Sequence, residues 1–125
     1  MSFDWTEYLA LAQDLAGQRV TPPTVEAKLR SAMSRAYYAA FCKARNHLRD
    51  KEGHLIPATG EAHRIVSDLF QRSRHRSRKK IGANLNRLRE NRRKADYDDF
   101  IRNLPNMTTK ALAECSKIIT ELGRL

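Results

Sequence analysis

An arginine stands where the predicted fourth helix should present an apolar side chain. Ile81, Leu85 and Leu88 recur at helical spacing, and the same face is reached again at Arg92 and at Asp96. An unpartnered buried guanidinium is costly, so Arg92 either pairs with Asp96 one turn later or lines a cleft or a subunit interface. In the second case its permanent charge is suited to stabilise a phosphate group.

A second group of chemically versatile side chains lies in the sequence SRAYYAAF, residues 34–41. Tyr37 falls on the apolar stripe of its helix and Tyr38 lies beside it, so both rings can be buried with their hydroxyls bonded to neighbours. Arg35 lies just off the stripe, where it can reach either an acidic group on another helix or a phosphate. These three residues are expected either to pack in the core or to support a cleft near Arg92.

Positive charge is concentrated in residues 72–94, the basic segment. It holds eleven Lys and Arg residues against one acid, Glu90, whereas the rest of the chain has thirteen of each sign and the whole chain has a net charge of +10. Such a segment can neutralise several phosphates, and because no aromatic residues are interleaved, we expect contacts with a nucleic-acid backbone and not with bases. An acidic partner protein or simple solubility would also account for the charge. The predicted nucleic-acid-binding residues are Arg72, Arg74, Arg76, Arg78, Lys79, Lys80, Arg87, Arg89, Arg93 and Lys94.

Helices must position these groups, because helical periodicity runs through the chain and no segment alternates as a strand does. We predict an all-α, antiparallel helical bundle of four to five helices with one long central helix. Thr24 is the predicted N-cap of this central helix, which ends near Gly53. Its apolar stripe comprises Val25, Leu29, Ala32, Met33, Ala36, Tyr37, Ala40, Phe41, Ala44 and Leu48.

The other helices are predicted to be shorter. One begins near Asp4, a third covers residues 61–73, a fourth is capped by Ser77, and the last is capped by Thr108. The side chains expected to face inward are Trp5, Tyr8, Leu9, Ala12 and Leu15 in the first helix, Ile65, Val66, Leu69 and Phe70 in the third, and Leu112, Cys115, Ile118, Ile119 and Leu122 in the last.

The length of 125 residues and the apolar share of 41% fit a single domain, residues 1–125. The longest apolar run, residues 37–42, is far shorter than the roughly 20 residues that cross a bilayer, and the first residues lack a signal-peptide pattern. We therefore expect a cytoplasmic protein without membrane contact. Cys42 and Cys115 lie in apolar helical patterns without metal-site spacing, so we expect free thiols, no metal and no cofactor.

Three blocks of the sequence resemble the HEPN family (higher eukaryotes and prokaryotes nucleotide-binding), in particular its small prokaryotic members encoded beside minimal nucleotidyltransferases. The blocks are residues 26–41, which include SRAYYAAF; His63 at the start of the third helix; and residues 88–98, which include R-x-x-A-D-Y. The two motifs in this order, on an all-helical chain of this length, are more specific than either one alone.

The resemblance implies a bundle that forms a homodimer and, in many members, a metal-independent ribonuclease of toxin–antitoxin, defence or RNA-processing systems. Arg92 matches the active-site arginine of that family. Asp96 and Tyr97 stand where the family has a histidine, so they complete the candidate catalytic set, although an ordinary aspartate does not titrate near neutral pH as a histidine does. In related systems a partner nucleotidyltransferase transfers AMP to a tyrosine near this motif, and Tyr97 stands at a comparable place.

Histidines elsewhere in the chain are expected to lie at the surface or at helix ends. His63 matches a family position with a structural or capping role. Arg49 and His54 also fit the arginine–histidine spacing of the family, but at the end of the central helix, where a chance match is the simpler explanation.

The leading hypothesis is a dimeric HEPN protein that binds RNA through the basic segment, with metal-independent cleavage at Arg92 as its candidate activity. The alternative is a non-catalytic HEPN module that acts as the dimeric partner of a minimal nucleotidyltransferase. A bundle with a purely structural role is the third interpretation.

Overall fold

A computed structural model describes residues 2–18 and 22–125, and the regular structure within these residues is entirely helical. Five helices follow one another: α1 (Glu7–Leu15), α2 (Val25–Glu52), α3 (Glu61–Gln71), α4 (Arg76–Tyr97) and α5 (Leu104–Gly123). The prediction of an all-helical bundle with one long helix is confirmed. None of the helices in these residues is long and apolar enough to cross a membrane.

Both ends of α2 are formed by the residues predicted for them. The side chain of Thr24 accepts a hydrogen bond from the backbone N–H of Ala27 at 3.2 Å. Gly53 ends the helix with φ of 72°, a left-handed conformation that glycine adopts without a steric penalty. The 28 residues of α2 form a rod about 42 Å long, since each residue adds about 1.5 Å.

Helix α4 runs antiparallel to α2. Arg30, near the start of α2, bonds to the carbonyl of Ala95 at the end of α4. Glu52, the last residue of α2, pairs with Arg78 in the first turn of α4. The two longest helices of the protein are thereby joined at both ends, with the start of each next to the end of the other.

Helices α2 and α5 run in the same direction, which differs from a fully antiparallel bundle. The hydroxyl of Thr108, near the start of α5, lies 3.4 Å from the carbonyl of Leu29 near the start of α2. The last turns of both helices line one shallow cavity. The long connections between α2 and α5 contain α3 and α4, so nothing requires these two helices to alternate in direction.

The core lies between α2, α4 and α5, and α3 covers α4 from another side. Gly82 permits the close approach of α3, because a Cβ atom at this position would lie 2.8 Å from the carbonyl oxygen of Ser67 and 2.9 Å from the backbone nitrogen of Gln71. The largest side chains with less than 2% exposure are Arg30, Tyr37, Phe70, Met33, Leu48, Ile81, Leu88, Ile118 and Val66.

The predicted start of α1 is wrong, and its predicted inward face is only partly right. The helix begins at Glu7, and the side chains of Leu9 and Leu15 are 62% and 57% exposed, whereas Trp5 and Tyr8 are partly buried against the bundle. The physical reason lies in the preceding segment, whose Phe3 N–H donates to the carbonyl of Asp99 and thereby sets how α1 lies on the bundle.

The predicted caps of α4 and α5 are also wrong. Ser77 lies inside α4, which begins after His75. Thr108 lies one turn inside α5, where its buried hydroxyl donates to the carbonyl of Leu104 at 2.9 Å. The helix begins instead after Asn103, whose φ is 58°.

The apolar stripe of α5 is wider than the surface that covers it. Leu112 and Ile119, both predicted to face inward, are 49% and 38% exposed, whereas Cys115, Ile118 and Leu122 are buried. Among the described residues α5 packs only against α2 and α4, so the edge of its stripe remains uncovered.

Candidate nucleic-acid interface

Arg92 both forms an ion pair with Asp96 and lines a depression on the surface, so the two expectations for this position are compatible. Its guanidinium pairs with the Asp96 carboxylate at 3.2 Å, and only 14% of its side chain is exposed. Its Cζ also lies 5.6 Å from the ring centre of Tyr37 and 5.5 Å from that of Tyr38, within the range of cation–π attraction. Its Nε is buried and makes no hydrogen bond within the described residues, as is also true of the Nε of Arg30.

Tyr37 connects this arginine to a histidine. Its hydroxyl is hydrogen-bonded to Nδ1 of His63, and the imidazole stacks on the ring of Phe41 with centres 4.3 Å apart. His63 lies in the first turn of α3, as expected for a helix-end residue, but its ring is half-buried against α2 rather than free at the surface. We call Tyr37, Tyr38, His63, Arg89 and Arg92 the arginine–histidine cluster.

The surroundings of the cluster favour the neutral forms of its imidazole and of its buried phenol. Burial lowers the pKa of His63, and the positive charges of Arg89 and Arg92 lower it further. Burial raises the pKa of Tyr37 to about 12. At neutral pH the pair is therefore an uncharged phenol bonded to an uncharged imidazole, with two guanidinium groups close by.

Arg89 and Arg92 also line an open depression of about 340 Å³ on α4, together with Asn86, Glu90 and Arg93. Arg89 makes no ion pair with any described residue, and its side chain is half-buried. Three guanidinium groups and one carboxylate line this depression, so its net positive charge attracts an anion.

The end of α4, which carries Arg92 and Asp96, is held by a residue that the sequence analysis did not single out. Arg30 has no exposed surface, and its guanidinium donates to the carbonyls of Ala95 at 2.9 Å and of Asp98 at 2.7 Å. A cation is favourable at this end of a helix because the last carbonyls are unpaired and the dipole is negative there. Arg30 therefore positions the segment that presents the candidate catalytic residues.

The amino-terminal segment covers this guanidinium. The Cζ of Arg30 lies 4.3 Å from the ring centre of Phe3 and 5.0 Å from that of Trp5. The indole N–H of Trp5 donates to the Asp99 carboxylate at 2.8 Å, and the hydroxyl of Tyr8 lies 3.3 Å from the carbonyl of Ala95. Rings at the start of the chain thus complete the cap on α4.

The outer face of α4 carries three of the unpaired cations of the basic segment, Arg76, Lys80 and Lys94. Arg76, Lys80, Arg87 and Lys94 are separated by four or seven residues and therefore lie along one face, over about 27 Å of helix. Seven of the eleven cations make no ion pair with any described residue: Arg72, Arg74, Arg76, Lys79, Lys80, Arg89 and Lys94.

Three of the predicted phosphate-binding arginines already have carboxylate partners. Arg78 makes two hydrogen bonds to Glu52, at 2.6 and 2.9 Å, with only 15% of its side chain exposed. Arg87 pairs with Glu114 across to α5, and Arg93 pairs with Glu90 on its own helix. Arg87 and Arg93 remain more than half exposed, whereas Arg78 mainly joins α2 to α4.

Arg35 and Tyr97 lie outside the arginine–histidine cluster. Arg35 is exposed and lines a groove with Asp96, Tyr8 and Ser31, but makes no ion pair there with any described residue. Tyr97, the last residue of α4, is 70% exposed. Of the predicted catalytic set, the structure therefore joins Arg92 with Asp96 and leaves Tyr97 in solvent.

The alternative arginine–histidine pair lies at the opposite end of α2 from the contacts of Arg30. Arg49 pairs with its neighbour Asp50, and the imidazole of His54 lies 3.9 Å from the Glu52 carboxylate. That end of α2 packs against the first turn of α4, far from Arg92 in the last turns. Sequence spacing did not predict that His63 lies near Arg92, because the two residues are far apart in the chain. The antiparallel packing of α3 on α4 brings them together.

Comparison with protein-family models, with curated proteins and with solved structures gives no match for this chain. Within residues 2–18 and 22–125, no group of three or more His, Cys, Asp or Glu side chains is placed to hold a metal ion. Cys42 and Cys115 are free thiols. Burial raises the pKa of Cys115. The functional conclusion must therefore be drawn from the charge and geometry of α4 and its neighbours.

Proposed function

We propose that this chain is a HEPN-like, homodimeric RNA-binding protein that holds the RNA backbone along the outer face of α4 and cleaves it, without a metal ion, at Arg92. The observation that carries the proposal is the row of cations on α4, of which Arg76, Lys80 and Lys94 are unpaired among the described residues, beside the depression lined by Arg89 and Arg92. The RNA assignment itself rests on the HEPN resemblance, because charge alone attracts any polyanion.

The dimensions of the outer face of α4 suit a strand of nucleic acid. Its cations span about 27 Å, which corresponds to about eight nucleotides of one stacked strand at about 3.4 Å each. No aromatic residue lies between Arg76 and Lys94, so we expect the contacts to be made with phosphates and to be independent of the base sequence. The predicted binding is therefore tight at low salt and tolerant of RNA sequence.

Cleavage would be a transesterification. The 2′ oxygen attacks the adjacent phosphorus, the bond from phosphorus to the 5′ oxygen breaks, and the products carry a 2′,3′-cyclic phosphate and a 5′-hydroxyl. Arg92 would donate hydrogen bonds to the phosphorane, whose extra negative charge develops on its non-bridging oxygens. Asp96, paired with Arg92, would orient this guanidinium.

RNA binding is tested by matched triple variants. Replacing Arg76, Lys80 and Lys94 with glutamine should weaken binding of a fluorescent single-stranded RNA and reduce the slope of log affinity against log salt by about 2. Replacing Lys28, Lys43 and Lys110 with glutamine changes the net charge equally, outside the basic segment, and should leave the slope unchanged. Equal effects of the two triples on anisotropy titrations would contradict a specific α4 interface.

Cleavage is tested with end-labelled RNA in the presence of EDTA. Arg92→Ala should lower the single-turnover rate by about 100-fold or more, because an oxyanion-stabilising donor is lost. Circular dichroism checks that helicity is kept. Failure of the wild-type protein to produce 2′,3′-cyclic ends would leave RNA binding without cleavage and favour the second candidate function.

That second candidate is a non-catalytic HEPN-like partner of a minimal nucleotidyltransferase, favoured by the exposure of Tyr97. A phenol that is 70% exposed at the end of a helix is accessible to a modifying enzyme. Co-expression with a minimal nucleotidyltransferase, followed by mass spectrometry, should find AMP on Tyr97 and none on Tyr37, which is 1% exposed. The absence of both a complex and a mass shift would reject this candidate.

A further inference from the structure

We propose that His63, Arg89 and Arg92 form a binding site for one phosphodiester group, and that His63 accepts the 2′-hydroxyl proton of the nucleotide held there. The proposal deepens the proposed function and rests on it. It assigns the proton acceptor that Asp96 and Tyr97 do not supply, since Asp96 is paired with Arg92 and Tyr97 is exposed at the helix end.

The first support is the convergence of three helices on one place. The α2 residues Tyr37 and Tyr38 lie beneath the guanidinium of Arg92 from α4, and Tyr37 also bonds to His63 from α3. The imidazole centre is 5.5 Å from the Tyr37 ring centre, and the Cζ of Arg92 is 5.6 Å from that same centre. His63 and Arg92 therefore lie beside the same ring, which is the placement that a shared phosphate would require.

The second support is the way the histidine is held. Tyr37 keeps its hydroxyl proton at neutral pH, and its oxygen can accept a hydrogen bond from Nδ1–H of His63. In that tautomer Nε2 carries no proton and can accept one. Stacking on Phe41 fixes the plane of the ring. Nε2 makes no hydrogen bond to any described residue, so it is the nitrogen left for a ligand.

The third support is the balance of charge around His63. The charged or titratable groups that face it are Tyr37 and Tyr38 from α2 and Arg89 and Arg92 from α4. Arg92 is paired with Asp96, whereas Arg89 makes no ion pair with a described residue. The surroundings of the neutral imidazole therefore carry a net positive charge, which a phosphodiester would balance.

The proton and electron pairs can be followed through the reaction. With the Tyr37 hydroxyl accepting from Nδ1–H, Nε2 takes the 2′-hydroxyl proton as the 2′ oxygen forms its bond to phosphorus. The bond from phosphorus to the 5′ oxygen breaks, and the leaving oxygen takes a proton from water. The hydroxide so formed removes the proton from the imidazolium, which restores neutral His63 with no net consumption of water.

Binding of a phosphate should reverse the effect of the arginines on the histidine. Arg89 and Arg92 disfavour the imidazolium, whereas a bound anion favours it, so the pKa of His63 should rise when the site is filled. The probes are inorganic phosphate and a short single-stranded oligonucleotide with 2′-deoxyribose throughout, which cannot be cleaved. Imidazole NMR signals of the full chain should show a higher pKa of His63 in the presence of either probe, and the imidazole chemical shifts of His54, beside Glu52, should stay unchanged at constant pH.

Activity variants separate proton transfer from binding. His63→Asn should lower the cleavage rate by about 100-fold and leave the affinity for the deoxy oligonucleotide within about threefold, because one acid–base group is lost while the arginines remain. Arg89→Gln, which leaves the core contacts of His63 in place, should weaken binding and abolish the phosphate-induced pKa rise. His54→Asn is the matched control and should change neither quantity.

The outcomes distinguish this site from the broader function. If the wild-type protein does not bind RNA, the proposed function is rejected. Normal cleavage by a folded His63→Asn protein would overturn the role of His63 while leaving RNA cleavage intact. An unchanged pKa of His63 in saturating phosphate and oligonucleotide would overturn the phosphate site, whether or not RNA is cleaved.

Discussion

Two arginines are withdrawn from solvent in this protein by different means. Arg30 has no exposed surface, and its terminal nitrogens donate to backbone carbonyls beneath aromatic rings, without a carboxylate. Arg92 has a carboxylate partner and two tyrosine rings, and it lines an open depression. The Nε of each arginine is buried and makes no hydrogen bond to a described residue. Because only Arg92 is accessible from outside, Arg30 is structural and Arg92 is the functional candidate.

Arg30→Ala should be one of the most destabilising single substitutions in the chain. It removes the donors to the carbonyls of Ala95 and Asp98 and leaves a cavity beneath Phe3, so the free energy of unfolding should fall by about 3 kcal/mol or more. Urea denaturation at pH 7 measures this loss. Arg49→Ala, also in α2 but exposed and paired only with its neighbour Asp50, should cause no measurable change. Similar losses in both variants would contradict a structural role for Arg30.

At the scale of elements, α4 is positioned from three sides. Its first turn is joined to the end of α2 by Arg78 and Glu52, its middle approaches α3 at Gly82, and its last turn is held by Arg30. Each of these contacts determines where the arginines of α4 lie relative to His63 on α3. The cluster therefore depends on helix packing as much as on its own residues.

Gly82→Ala should destabilise the protein although alanine favours helix formation. A Cβ at this position meets the backbone of Ser67 and Gln71 at 2.8 and 2.9 Å, so α3 must move, which typically costs about 1–3 kcal/mol. Gly123→Ala is the control, because a Cβ there meets nothing within 4 Å and should leave stability unchanged or slightly increased. Thermal unfolding of the two variants gives the comparison, and equal melting temperatures would refute a close contact between α3 and α4.

Glu52 should make the joint between α2 and α4 sensitive to acid. The hydrogen bonds from Arg78 hold the pKa of Glu52 below its usual range. The ion pair therefore contributes fully to stability above the pKa that Glu52 has in the unfolded chain. This contribution is lost as the pH falls through the lower pKa that Glu52 has in the folded protein. Between about pH 5 and pH 3, Glu52→Gln should therefore lose less stability than the wild-type protein. Asp14→Asn, at an exposed carboxylate without an ion pair among the described residues, should retain the wild-type pH profile.

At the scale of the whole molecule, the net charge of +10 is unevenly distributed. The paired cations of the basic segment support packing, whereas the unpaired ones lie before α4, along its outer face and beside its depression. This asymmetry would orient the protein on a polyanion before any specific contact is made.

The affinity for single-stranded RNA should fall steeply with salt. If the seven unpaired cations of the basic segment each neutralise one phosphate, the slope of log affinity against log salt is about −5, or a loss of about 1,000-fold between 50 and 200 mM. Titrations at four or more salt concentrations measure the slope. A loss of less than about fivefold would show that the cations do not meet phosphates.

Local patterns in the sequence predicted much of the fold and only part of the candidate site. The caps of α2 depend on Thr24 and Gly53 alone, and the stripe of α4 depends on spacing within one helix, so both were predictable. The predictions for Leu9, Leu15, Leu112 and Ile119 were wrong because a helix's own periodicity does not say how wide a surface its neighbours will cover. The caps proposed at Ser77 and Thr108 were wrong because a good capping residue can equally lie inside a helix.

The helical character of the chain, the excess charge of residues 72–94 and the interruption of an apolar face at Arg92 follow from the order of the residues alone. This is because charge and periodicity depend on residues that are close together in the chain. The burial of Arg30 and the meeting of His63 with Arg92 at Tyr37 follow only from the packing of the helices. A buried cation or a shared ligand site depends on carbonyls and rings that different helices bring together.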